Sequence, residues 1–322
     1  MALPARIYKQ RQLPDPAKVI FEDVNYLFRQ SRAENTRKAY AKDLQCYENW
    51  CAHSGVNPYP ADPKHLILYM RYLWKNRYKP STIERRIAAI TYRHRKLDHN
   101  PTNDENVREF LAGIKRDLGA KQDKKAPLLT SHIKLIVDKL EDRVNHIRDR
   151  ALLLIGYAGA LRRSEIVNIR YEDIEFTDEG LRLTIRKSKT DQEGKGREIG
   201  ITYGSYRKTC PVRNLKQWLD VANINEGPIF RRCDRHGNIY SEAVSPNTVN
   251  RVVKRCVKSI GQDPADYGAH SLRAGFITQA DMNGTRVSKI QEQTGHKSVR
   301  VLMGYIRSKN LFEENASGNV GL

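Results

Sequence analysis

Along "NTRKAYAKDLQCYENWC", the apolar positions Tyr40, Leu44, Tyr47 and Cys51 recur at i, i+4, i+7 and i+11. That spacing predicts a helix with one buried face. In "STIERRIAAITYRHRKL", Ile83, Ile87 and Ile90 predict a second such helix, and Ser81 with Glu84 predicts a capping box at its start. Arg85, Arg86, Arg93 and Arg95 then fall off the apolar face. They are either a solvated surface or a row laid along a DNA groove, with guanidiniums on phosphates or guanine edges. The polar stretch "GAKQDKKAP", residues 119–127, ends in Pro127 and reads as a linker. A helical domain over 1–118 and a second domain over 128–322 are therefore expected.

Beyond the linker the pattern is mixed. Helical segments run through "ALLLIGYAGALRRSEIVNI". In "LRLTIRKSKTDQEGKGREIGI", alternation at Leu181, Leu183 and Ile185, a loop with Gly194 and Gly196, and a return through Ile199 and Ile201 predict a β-hairpin. From about Asn214 onward the chain reads as helices with polar connections. One helix opens at Ser245, a capping residue, with Pro246 at the first helical position and Asn247, Asn250, Arg251 and Lys254 on one polar face. The fold class expected is mainly α with a small antiparallel β-sheet, in two domains.

Charge changes the picture. The formal net charge is +20 over 322 residues. It divides into +11 before Ala126 and +9 from there on, so the excess is no local tail. Such a surface favours a polyanion, because each neutralised phosphate releases counterions. The amino-terminal "MALPARIYKQ" has no apolar run of signal-peptide type, and the 11-residue "ALLLIGYAGAL" is too short for a membrane span. Five cysteines without a CxxC pair argue against a disulfide framework and fit a reducing compartment. Cys51 and His53 lack a second ligand pair, so no metal site is expected, and no Walker or dinucleotide fingerprint occurs.

The candidate chemistry lies in four short pieces. "ALRRSE" supplies Arg162 and Glu165, and "KSKT" supplies Lys189 where the first hairpin strand meets its loop. "HSLR" places His270 and Arg273 on one helical face, and "TGHKS" supplies His296, with Tyr305 nine residues later. Val299, Leu302, Met303 and Ile306 form an apolar stripe, and at about 100° per residue Tyr305 falls off it toward the polar flank. A core aromatic belongs on that stripe, so Tyr305 reads as a chemical group. Plainer alternatives stand beside the others. Arg162 and Glu165 also read as a structural ion pair, Lys189 as a solvated neighbour of Lys187 and Lys195, His270 as a core histidine, and His296 as a helix cap.

In chain order this Arg, Lys, His-x-x-Arg, His, Tyr pattern resembles the tyrosine recombinases, or tyrosine-type integrases. It is similar to Cre-like members and to integrases of bacterial mobile elements, and the likeness spans nearly the whole chain. Some members carry tryptophan at the place of His296, but histidine is the commoner residue. The resemblance implies a core-binding domain joined to a catalytic domain, and a site-specific recombinase that needs no cofactor. Tyr305 would be the nucleophile that forms a 3′-phosphotyrosine, with Arg162, Arg273 and His296 on the phosphate oxygens. Lys189 would be the acid for the 5′ oxygen, His270 would hold the tyrosine's proton, and Glu165 would orient the site.

The partner implied is a double-stranded DNA target bound by a homotetramer, monomeric or weakly associated when free, in the bacterial cytoplasm and on the nucleoid. Asn247 and Asn250 would be adenine readers by amide geometry, with Arg251 and Lys254 on nearby phosphates. The tail with Leu311 and Phe312 would dock in cis or on a neighbouring protomer. A type IB topoisomerase and a non-cutting DNA-binding regulator are the rival functions.

Overall fold

The computed structural model describes residues 34–95, 100–119, 125–186 and 196–306. Lys189, with Lys187 and Lys195, and the tail with Leu311 and Phe312 lie outside the described residues. Contacts divide the chain into two compact units, Met1–Gln122 and Asp123–Leu322.

The first unit is helical: α1 Glu34–Ser54, α2 Pro63–Lys75, α3 Pro80–His94 and α4 Glu105–Leu118. Tyr47 and Cys51 of α1 are fully buried, while Tyr40 and Leu44 are half-buried. Asp62 caps α2 by accepting from the Lys64 amide, Pro63 takes the first helical position, and Leu66, Tyr69, Met70 and Leu73 form the buried stripe. In α3, Ile83, Ile87 and Ile90 face the core as their spacing predicts.

Two expectations for α3 are corrected. Ser81 does not cap with Glu84: Pro80 starts the helix behind Lys79, two residues earlier than a Ser81 cap requires, and Glu84 pairs with Lys115. Nor does Arg86 lie on an open face. It is buried, with Nη1 donating to the Tyr69 hydroxyl at 3.2 Å and its guanidinium 4.5 Å over the Tyr78 ring. The cause is Asp43, a buried carboxylate of α1 that requires compensating charge. Arg85 supplies most of it, as a fork with Nε at 2.7 Å and Nη2 at 3.0 Å from the two carboxylate oxygens. Arg93 stays exposed, 5.1 Å over the Tyr59 ring.

The second unit wraps around one central helix. It contains α5 Thr130–Lys139, α6 Val144–Ala158, α7 Arg163–Asn168, β1 Ile174–Phe176, β2 Gly180–Ile185, β3 Arg197–Thr202 and α8 Pro211–Val221. There follow β4 Arg231–Cys233, β5 Ile239–Ala243, α9 Pro246–Ser259, α10 His270–Met282, α11 Val287–Thr294 and α12 Val299–Ile306. Helix α6 is buried continuously from Ile147 to Gly156: Ala151–Gly156 is apolar all round, and the buried Arg148 is paired with Asp149. The hairpin forms as its alternation predicts, with Leu181 opposite Ile201 and Leu183 opposite Ile199, and β1 adds a third antiparallel strand. Ser245 caps α9 by accepting from the Thr248 amide at 3.2 Å, with Pro246 next.

The region after Asn214 is not purely helical, however. Strands β4 and β5 pair antiparallel within it, too short and too polar to show a period-two signal. No described helix is long and apolar enough to cross a membrane.

The approach of α10 to the start of the unit is set by Gly275. A Cβ there would stand 1.8 Å from the Leu128 carbonyl oxygen and 2.8 Å from its nitrogen. That backbone is itself pinned, since the Leu128 amide donates to Ser271 O at 3.0 Å and the Ala126 amide to Asp266 O at 2.9 Å. Gly275→Ala should therefore destabilise the unit by about 3 kcal/mol in urea unfolding, through overpacking. Helix propensity by itself predicts a gain of about 1 kcal/mol. The sign of the change decides between the two effects.

Candidate active site

The site is assembled from two helix-ending turns, at Ala160 and Gly295, and from helices α10 and α12. Helix α6 ends before Ala160, a non-glycine residue with φ 49°, which carries the chain into the N-cap of α7 at Arg162. Glu165, 3% exposed, accepts from the Arg162 amide at 2.8 Å and from its Nη1 at 2.7 Å. One carboxylate thus caps the helix and fixes the guanidinium. Arg273 on α10 is 1% exposed and donates from Nη1 to the Ala160 carbonyl at 2.7 Å. The left-handed turn at Ala160 is what brings that carbonyl to Arg273.

Gly295, with φ +64°, ends α11 in the left-handed conformation that favours glycine, and His296 follows at once. Arg273 Nη2 donates to His296 Nε2 at 3.1 Å, and His296 Nδ1 is 2.8 Å from the Thr294 hydroxyl. On the facing side, the Tyr305 hydroxyl of α12 lies 2.7 Å from His270 Nε2. The tyrosine ring is 5.7 Å from the His270 ring and 5.8 Å from that of His296. It packs half-buried against Ile277, Ile290 and Leu302. Val299, assigned to the same apolar stripe by spacing, is instead 46% exposed. Tyr305 takes part of the stripe's place without losing access to the histidine.

The cluster is cationic and partly desolvated. Burial, with Arg162 next, pushes Arg273 down to about 10, still charged at neutral pH. Burial first and then Arg273 push His296 down to about 4 from its ordinary 6.5. His270 keeps a solvent-exposed edge, yet burial of the rest of the ring, then Arg273 and Arg162, lower its pKa too. Both rings are therefore neutral at pH 7.

For His296 the hydrogen bonds assign the tautomer. The Thr294 hydroxyl donates to Ile290 O at 2.7 Å, so it accepts from Nδ1–H, and Nε2 keeps the lone pair that Arg273 fills. Below pH 6.5 the unfolded chain binds protons that these two folded rings refuse. Stability should be full above about 6.5 and fall as the pH drops from there through about 4. Urea midpoints against pH would show the slope, and His296→Gln should flatten it.

Of the predicted residues, the fold gathers Arg162, Glu165, His270, Arg273, His296 and Tyr305. Asn250 is corrected: its Oδ1 accepts from the Ala269 amide at 3.0 Å and lies 2.7 Å from where a Cβ on Gly268 would stand. Its amide oxygen is committed to holding the start of α10, and thereby His270. Asn247 and Arg251 are exposed, Arg251 donating to the Thr248 hydroxyl at 3.1 Å, and Lys254 is half-buried. One cation beside the site escaped the sequence reading. Arg197, at the start of β3, is 3.6 Å from Glu165. Its signal was faint, an arginine after a glycine in a lysine-rich loop. Among the described residues no group of His, Cys, Asp and Glu is arranged to hold a metal.

Residues 127–311 match the Phage integrase family, and residues 24–100 match the Phage integrase, N-terminal SAM-like domain. An integrase/recombinase xerD homolog of Selenomonas ruminantium is 39% identical over 291 residues, covering 89% of this chain and 85% of that one. Recombinase cre of Escherichia phage P1 is 24% identical over 300 residues, covering 87% and 86%. The fold is similar to the crystal structure of the XerH site-specific recombinase bound to palindromic difH, a post-cleavage complex. That match has a TM-score of 0.63 and 18% identity, and covers 96% and 90% of the two chains. With both domains matched and a relative 39% identical over 89% of its length, the chain belongs to the phage integrase family and is a tyrosine recombinase.

Proposed function

We propose that this protein cuts and rejoins duplex DNA at a specific site, with Tyr305 as the nucleophile. The carrying observation is the phenol oxygen 2.7 Å from a neutral His270 Nε2, in a pocket that holds Arg162, Arg273 and His296. His270 accepts the phenol proton as the oxygen attacks the scissile phosphorus. The bond from phosphorus to the 5′ oxygen breaks, and that oxygen takes a proton from Lys189, assigned by the family pattern. Arg162 and Arg273 hold the non-bridging oxygens while charge builds on them. His296 gives a further hydrogen bond to the same phosphate once phosphate takes Arg273 from Nε2 and the ring's proton moves from Nδ1 to Nε2, the Thr294 hydroxyl turning to donate to Nδ1.

The 3′-phosphotyrosine conserves the energy of the broken bond, so a 5′ hydroxyl from a second duplex reverses the step without nucleotide hydrolysis. Repeated on paired sites by four protomers, the exchange passes through a Holliday junction. The XerH relative, bound to DNA after cleavage, supports this reading. The net charge of +20 supplies the attraction for duplex DNA.

The test uses a nicked duplex bearing the sequence that the protein enriches from a random library. A covalent adduct that survives denaturation is expected, followed by exchange between two such sites on a plasmid. Binding without an adduct would leave a regulator. An adduct with relaxation but no exchange would leave a topoisomerase.

A further inference from the structure

We propose that Arg197 is a positioning residue that ties the turn carrying His296 to the Glu165–Arg162 pair. The inference rests on the strand-cleavage reading above. Between α11 and α12 the backbone at His296 belongs to no helix or strand, so its placement depends on side-chain ties. Arg197 Nη1 donates to the Gln293 carbonyl at 2.6 Å, closing an orphan acceptor at the end of α11. The guanidinium also lies close against Gly295: a Cβ there would be 2.9 Å from Nε and 3.1 Å from Cζ. From the same group, Nη2 faces Glu165 Oε2 at 3.6 Å, on the carboxylate that holds Arg162. One side chain thus touches the turn before His296 and the anchor of the first catalytic arginine.

Stability does not explain the choice of arginine. Nε and Nη2 are buried without a hydrogen-bond partner among the described residues, a costly arrangement that an apolar side chain of similar length avoids. Burial lowers the Arg197 pKa, and its charge is among those that depress His296. Gln293 supplies a second tie, its Nε2 donating to Ala158 O and Gly200 O at 3.1 Å each. Removing Arg197 therefore loosens the turn without releasing it.

The experiment compares wild type, Arg197→Met and Arg197→Lys as full-length proteins. The probe is the nicked duplex bearing the library-selected sequence. Arg197→Met should form the adduct about 10–100-fold more slowly in single turnover, the scale of a misplaced catalytic group. Its affinity for the intact duplex and its urea midpoint should match wild type. The His296 ring should titrate at higher pH by NMR, because a nearby positive charge has gone. Arg197→Lys, which keeps a charge and one donor, should recover to within about fivefold.

A wild-type rate in Arg197→Met would overturn the proposal. So would a slow rate matched by falls in affinity and urea midpoint, failure to fold, or an unmoved His296 titration. If wild type forms no adduct at all, the cleavage reading fails, and faster amide hydrogen exchange over Gly295–Ser298 in Arg197→Met than in Arg197→Lys still decides whether Arg197 holds that turn.

Discussion

Tyr305→Phe should bind the selected duplex as wild type does and form no covalent adduct, with the cleavage rate down by about 10⁴-fold or more. The substitution removes one oxygen. The ring's packing against Ile277, Ile290 and Leu302 is untouched, so α12 keeps its place. His270 loses its 2.7 Å neighbour but has a solvent-exposed edge, and water replaces the contact. Stability should stay within about 0.5 kcal/mol, the range of a substitution outside the core. Loss of cleavage with retained fold and affinity isolates the phenol as the reacting group. A persistent adduct would move the nucleophile elsewhere and sink the assignment.

Arg273→Lys should cost about 10²–10³-fold in the cleavage rate, the scale of removing one donor to transition-state charge. Arg273 uses two nitrogens in two directions, Nη1 on Ala160 O and Nη2 on His296, and a single ammonium does not span both. The pocket also acts on charge. Burial and Arg162 already bring the guanidinium down to about 10. A lysine starts from a lower ordinary value, so the same pocket carries it toward neutrality. The wild-type arginine stays protonated through pH 8. The lysine variant should therefore lose further activity as the pH rises, where wild type does not. Rates of adduct formation from pH 6 to 9 would reveal this, and parallel profiles would refute the account.

Much of the architecture was legible because burial leaves a periodic trace. Ile83, Ile87 and Ile90, the two hairpin faces, and the Ser245–Pro246 helix start each follow from local rules that tertiary packing did not oppose. The candidate site was legible for a different reason: residues of unusual chemistry recur in one order along the chain. Tyr305 stood out by its place in that order; the angular argument that set it off the apolar stripe did not hold, since its ring packs against Ile277, Ile290 and Leu302.

The misreadings share a physical cause. Ser81 lost its capping role because the helix begins at Pro80, two residues earlier than a Ser81 cap requires. Arg86 and Asn250 look like surface readers in one dimension. Tyr69, 17 residues before Arg86, and the Ala269 amide, 19 residues after Asn250, take up polar atoms of these two instead, and neither partner has a sequence offset that a helical wheel reveals. Arg197 was invisible on the same ground: Gln293, 96 residues away, gives it its task.

The order of residues by itself determined the helical character, the hairpin and the basic composition, since these depend on neighbours within a few turns of chain or on counts alone, and it nominated the candidate reactive groups. Tertiary structure decided which cations are spent inside the protein and which surround the phenol. It also decided how far each histidine's proton affinity falls. Those properties depend on burial and on charges brought together from distant segments, and distance in space is what a linear chain does not record.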